Sequence, residues 1–235
     1  VIPLESVKIL YEDPWILVVV KPPGMASQPE RSTAMDMVSY LKNYISRKEG
    51  QKNPYVAAVH RLDRPVGGVM VYARTPESAS ALSRQIAGRT VRKEYLAVVC
   101  GSPEKSEGVL EDWLLRNGKT NVSEVVPPGT LEGKLARLSY KILARNDQGY
   151  TLVSVHLETG RHHQIRVQMA AAKTPVAGDR RYGGGNAGNF RDIGLFSCKL
   201  SFKHPGTKKM MEFQAKPQWG PFLLFSDVFD ISDHA

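Results

Sequence analysis

The hydrophobic pattern changes period several times along this chain, and each change predicts an element. Residues 7–10 and 15–20 are short apolar runs separated by Glu12-Asp13-Pro14, which reads as two strands joined by a turn. Lys21-Pro22-Pro23-Gly24 stops the second strand. Met37, Leu41, Tyr44 and Ile45 recur at helical spacing. They predict a helix over 35–47, with Ser32-Thr33 as its N-cap. Residues 50–54 read as a polar loop. Residues 55–59 lead into a turn at Asp63, and 68–73 form the next strand. Thr75-Pro76-Glu77 has an N-cap threonine with proline at the first helical position. Ala79, Leu82, Ser83 and Ile86 make one face of that helix, and Gly88 ends it.

Residues 91–100 are an apolar strand closed by Gly101-Ser102-Pro103. Residues 102–134 mix turn formers with charges and read as an irregular insertion holding a short hairpin. Residues 135–143 and 150–157 form a hairpin around Asn146-Asp147-Gln148-Gly149. Residues 163–172 are compatible with a third helix. The turn-rich loop at 183–189 lacks the Gly-Lys-Ser/Thr ending of a phosphate-binding P-loop. The whole is a strand-rich α+β pattern, with two helices before the middle and one after it.

Composition narrows the function classes. A chain of 235 residues can bury a large core, as one domain or as two packed lobes. Its net charge of +9, from 32 Lys and Arg against 23 Asp and Glu, points to a polyanionic partner. Nucleic acid and a membrane surface both fit that charge, but no basic amphipathic helix or lipidation signal supports a membrane. The longest apolar runs are far too short to span one. Cys100 and Cys198 are the only cysteines, which argues against a disulfide framework or a thiolate metal site. Each is expected in an apolar strand as a small buried residue. We expect a cytoplasmic monomer without an obligate protein partner. A mitochondrial location stays open should a targeting segment precede Val1.

The candidate chemistry lies in His60-Arg61-Leu62-Asp63-Arg64, which sets one carboxylate between two arginines just before a turn. Nearby cations favour the ionised form of such an acid. A surface aspartate that caps its turn and pairs with Arg61 or Arg64 is the competing reading. Two further stretches bear on the choice: Arg92-Lys93-Glu94-Tyr95-Leu96-Ala97, and Thr159-Gly160-Arg161-His162-His163-Gln164-Ile165-Arg166. Together the three resemble the H-R-L-D, K-x-Y-x-A and T-G-R-x-H-Q-I-R segments of the RluA-type pseudouridine synthases. The Lys21-Pro22 turn, Pro175 to Gly183 and Leu195 to Pro205 fall in the family's order as well. The resemblance covers about residues 7–217. Val66-Gly67 departs from a common Thr-Ser, and Gln168 from a common His.

The resemblance implies a single catalytic domain over 1–235, with a core of about 7–217 and an insertion at about 102–134. It implies a mixed, largely antiparallel bent sheet in two lobes, with flanking helices and a central basic cleft. Nothing before Val7 could hold the family's small S4-type domain. The implied reaction breaks the N1–C1′ bond of a uridine, turns the base, and joins C5 to C1′. It needs no redox step, cofactor or metal, but it needs a carboxylate and a flipped base. Asp63 is the implied catalytic carboxylate and Arg166 its ion-pair partner; the alternative for Arg166 is a solvated helix arginine. Tyr95 would stack on the base, or else be a core tyrosine. Arg61 would contact RNA and fill the space the base leaves, or else pair with Asp63. His60, Arg64, Arg161, His163 and Gln164 complete the expected RNA-binding set.

His60, His162 and His163 lack metal-ligand spacing. Lys203-His204, Lys208-Lys209, Arg89 and Arg92-Lys93 would line an RNA-facing surface or form a solvated face. A catalytically silent RNA-binding ribosome-assembly factor of the same fold is the alternative function. The RNA, ribosomal or transfer, is not legible.

Overall fold

The computed structural model describes residues 7–30, 34–185 and 187–230. In chain order its elements begin with β1 (Lys8–Glu12), β2 (Ile16–Lys21), α1 (Met37–Glu49), β3 (Ala57–Ala58), β4 (Gly67–Ala73) and α2 (Pro76–Ala87). Then come β5 (Arg92–Cys100), β6 (Glu107–Asn117), β7 (Val122–Val126), β8 (Lys134–Arg145), β9 (Tyr150–Leu157) and α3 (Gln164–Ala171). The chain closes with β10 (Leu195–Lys203), β11 (Met210–Gln214), a 3-10 turn at Gly220–Phe225 and α4 (Ser226–Asp230). It forms two compact units, Val1–Lys93 with Ser197–Ala215, and Glu94–Phe196 with Lys216–Ala235. No helix among the described residues is long and apolar enough to cross a membrane.

In the first unit the strand order is β1-β2-β4-β10, with β11 on β10 and β3 on β4. β2 and β4 run antiparallel from Ile16 opposite Ala73 to Lys21 opposite Gly68. Every residue of β4 is buried, as its unbroken apolar run requires of a strand covered on both faces. Ile16, Val18, Val69, Val71, Leu82, Leu200 and Phe202 form a core there. Helix α2 begins as expected, with reciprocal bonds between Thr75 and Ser78. Helix α1 does not. It starts at Met37, and its cap is Asp36, whose carboxylate accepts from the Val38 and Ser39 amides at 2.8 and 3.2 Å. The expected Ser32-Thr33 cap lies outside the described residues.

In the second unit β5, β9, β8, β6 and β7 follow one another in antiparallel pairs. The hairpin expected within 102–134 is present as β6 and β7, but the reading of the rest as irregular is corrected. β6 is an eleven-residue strand, paired with β8 from Glu107–Lys141 to Leu114–Lys134 and with β7 from Trp113–Val126 to Asn117–Val122. The strand was hidden because only Leu114 on it is fully buried. A one-sided strand carries charges at alternate positions and then resembles a loop. The closing helical turns were also missed; their Phe222 and Phe225 are buried. The strand-rich α+β class holds. Ala26 and Asp36 form an isolated parallel bridge.

Candidate active site

Asp63 sits on the loop between β3 and β4, half-buried, with Leu62 and Val66 buried beside it. The segment after β2 binds the backbone of this loop almost atom by atom. Ser27 Oγ accepts from the Leu62 amide at 3.1 Å and donates to the Leu62 carbonyl at 2.8 Å. The Gly24 amide donates to the Arg64 carbonyl, and Arg64 Nε returns a bond to the Gly24 carbonyl at 3.0 Å. The Val66 amide closes the turn onto the Asp63 carbonyl at 2.9 Å. The turn then leads into Gly68 at φ 131°, where a Cβ would meet the Ser197 backbone at 2.4 Å, so only glycine fits. A valine and a glycine in place of the family's Thr-Ser leave these backbone bonds intact.

Lys21 is the residue that sequence reasoning passed over. It is fully buried. Its Nζ donates to the carbonyls of Met25 at 2.7 Å, Pro22 at 3.0 Å and Arg64 at 3.1 Å. Three carbonyls match the three protons of an ammonium. Burial pushes its pKa down to about 7; Asp63 and Glu30 oppose that shift and Arg64 adds to it. The signal was a single lysine ending an otherwise apolar strand.

His60 is not on the RNA side of this loop. It is buried, and its Nε2 accepts from the Val71 amide at 3.2 Å. Burial, with some help from Lys93, holds its pKa well below the usual imidazole value. A neutral inward ring braces β4 and cannot act as a phosphate-binding cation. Arg61 and Arg64 are exposed, and neither is ion-paired among the described residues. The reading in which they pair with Asp63 is therefore set aside.

Tyr95 and Arg166 belong to the second unit. Tyr95 lies on β5 opposite Val155 and is buried. Arg166 lies on α3 and is buried, so it is no solvated helix arginine. Asp179 holds it with two bonds, from Nε to Oδ2 at 2.7 Å and from Nη2 to Oδ1 at 2.8 Å. The guanidinium also lies 5.1 Å from the centre of the Tyr182 ring. Asp179 takes two backbone bonds as well, from Arg181 and Tyr182. Burial raises its pKa, but the Arg166 bonds and the two amides outweigh that and leave it below the ordinary value. Asp179 and Tyr182 were visible in the Pro175 to Gly183 motif without a role attached to them.

Two more expected RNA contacts turn inward. Gln164 is buried; its Oε1 accepts from Thr159 and the Arg161 amide, and its Nε2 donates to the Arg137 carbonyl. It braces the loop before α3. His163 is buried, with φ 54°, stacked on His162 at 3.7 Å and bonded to the Tyr182 hydroxyl at 2.7 Å. His204, in the charge run near the C-terminus, is also buried, and its Nε2 meets Asp13 at 2.7 Å. Arg161 is half-buried at the surface. Cys100 and Cys198 form no disulfide and are half-buried in β5 and β10. No cluster of potential metal ligands occurs among the described residues.

The chain is similar to known proteins in sequence and in fold. A family model described as RNA pseudouridylate synthase matches residues 15–171. An uncharacterized RNA pseudouridine synthase of Bacillus subtilis, YlyB, is 35% identical over 88% of this chain and 68% of its own length. The dual-specificity RNA pseudouridine synthase RluA of Yersinia pestis is 32% identical over 90% of this chain and 99% of its own. The human RNA pseudouridylate synthase domain containing 4 shares the fold, with a TM-score of 0.76 at 21% identity over 93% of this chain and 91% of its own. With its three motif segments in order and a family model that covers most of its length, the chain belongs to the RluA-type RNA pseudouridine synthases.

Proposed function

We propose that this chain converts specific uridines of ribosomal or transfer RNA to pseudouridine, with Asp63 as the catalytic carboxylate. A stacked base is out of reach, so the target nucleotide must flip out of its helix. Asp63 then attacks a carbon at the sugar–base junction or removes a sugar proton. The base turns, and C5 joins C1′. Tyr95 stacks on the base, a contact worth roughly 1–3 kcal/mol. Arg166, fixed in place by Asp179, keeps the Asp63 carboxylate charged and oriented. Arg61 occupies the space the base leaves, and Arg64 and Arg161 contact phosphates. The isomerisation balances without cofactor or metal, and the proposed enzyme is a cytoplasmic monomer formed by one catalytic domain.

The observation that carries this reading is the Asp63 loop. Its carboxylate is half-exposed while its backbone is bonded to residues 24–27 and to Lys21. A carboxylate on a loop held that firmly is preorganised for reaction. The test is pseudouridine mapping of total RNA with and without the protein, alongside purified Asp63→Asn. The variant should keep its fold and RNA affinity and lose all turnover. Turnover near the parent rate would overturn the assignment. No pseudouridine dependent on the parent protein would favour the silent RNA-binding factor.

A further inference from the structure

A concave surface of about 500 Å³ on the second unit holds Arg161, assigned above to phosphate contact, together with cations that have no role so far. Arg116 of β6, Lys134 of β8 and Arg161 of the loop before α3 line it, together with Ser123, His162 and Glu132. The sheet sets this spacing. Lys134 lies opposite Leu114, and Ser123 opposite Arg116, so strand pairing brings the cations of β6 and β8 to one region.

How these cations are held separates them from the others. Arg74 is shared by Glu12 and Glu49, and Arg137 by Glu111 and Glu158. Arg116, Lys134 and Arg161 make no ion pair among the described residues. Their anchors are neutral: Arg116 Nη2 donates to Asn121 Oδ1 at 2.7 Å, and Arg161 Nε to the Leu135 carbonyl at 2.9 Å. A neutral acceptor orients a guanidinium without cancelling its charge. Two oriented forks and an ammonium, facing one carboxylate, match the charge and geometry of phosphate oxygens.

We propose that this groove binds the phosphodiester backbone of a single-stranded segment of the substrate RNA. The proposal rests on the RNA-modifying reading and adds Arg116 and Lys134 to it. It gives a function to β6 and β8, the region whose sequence read as an irregular insertion.

The test is the salt dependence of binding to a fluorescein-labelled single-stranded RNA of about 20 nucleotides, between about 50 and 200 mM KCl. Each phosphate contact to a single strand contributes a slope of about 0.7. The double variant Arg116→Ala with Lys134→Ala should lower the slope by roughly 1.4 and weaken affinity at about 0.1 M salt by about 25-fold. Its single-turnover rate at saturating RNA should stay at the parent value. The swap Arg116→Lys with Lys134→Arg should restore most of the slope. Lys52→Ala with Lys105→Ala removes two exposed lysines elsewhere and should leave the slope unchanged. An unchanged slope in the groove variant, or an equal loss in the lysine control, overturns the groove. An active Asp63→Asn that still needs Arg116 and Lys134 to bind overturns the catalytic reading and leaves the groove standing.

Discussion

Lys21 and Arg166 are both buried cations beside motif residues, one in each unit, and they are held in opposite ways. Lys21 has three neutral carbonyls around its ammonium. Arg166 has a carboxylate clasping two of its nitrogens. A guanidinium stays charged at any pH the protein meets, so the cation of the Arg166 pair is never lost. The Lys21 charge is conditional, because burial brings its pKa to about 7. The backbone that shapes the Asp63 loop thus depends on a proton, and the Arg166 site depends on a partner.

The largest effect is expected where a partner is removed. Asp179→Ala removes the carboxylate that clasps a buried arginine with two bonds, and breaking such a pair costs on the order of 3–5 kcal/mol. Urea unfolding of the variant measures it; a loss within about 0.5 kcal/mol would erase the contrast. In the parent protein Asp179 stabilises fully above the pKa it has when unfolded. That contribution fades only as pH falls through its lowered folded value, at the acid end of the carboxylate range.

An effect with the same pH sign, but in the neutral-to-alkaline window, is expected at Lys21. Its folded pKa of about 7 lies below the ordinary lysine value of 10.5. Between those values the unfolded chain holds more protons, so stability rises with pH, by up to about 1.4 kcal/mol per unit. Lys21→Met should flatten that rise over the same window. It should also leave the Pro22 and Met25 carbonyls without Nζ, at about 1–3 kcal/mol for an unmet buried group, offset in part by the charge no longer buried. Unfolding free energies at neutral and alkaline pH for both proteins decide the matter. Parallel pH dependences would show that the ammonium is not shifted.

The smallest stability change belongs to Arg61, exposed and without an ion pair among the described residues. Arg61→Ala should leave unfolding within about 0.5 kcal/mol of the parent and lower the salt slope of RNA binding by about 0.7. A clear loss of stability with an unchanged slope would instead make Arg61 a brace of the Asp63 loop.

Much of the fold was legible where the signal is local. Thr75-Pro76 marks the start of α2, and Asn146 to Gly149 marks the β8–β9 turn, because capping and turn chemistry act over a few residues. The start of α1 was misplaced because Asp36 caps the Val38 and Ser39 amides. β6 was lost because its inner face buries little. Within the site, Asp63 and Arg166 stood out through their motifs, and Arg166 proved buried. His60, His163 and Gln164 sit in the same motifs yet turn inward, and side-chain direction is not written in residue type.

The sequence by itself determined the strand-rich class, the ends of most elements, the family and the candidate carboxylate. These follow from short-range periodicity, turn formers and motif order, which fold with their own neighbours. The tertiary structure decided what holds each candidate. Lys21 reaches the Arg64 carbonyl across 43 positions, Asp179 reaches Arg166 across 13, and β6 meets β8 only through sheet pairing. Such bonds form only once the chain has closed on itself, and the entropy of that closure is repaid by the whole core rather than by any local pattern.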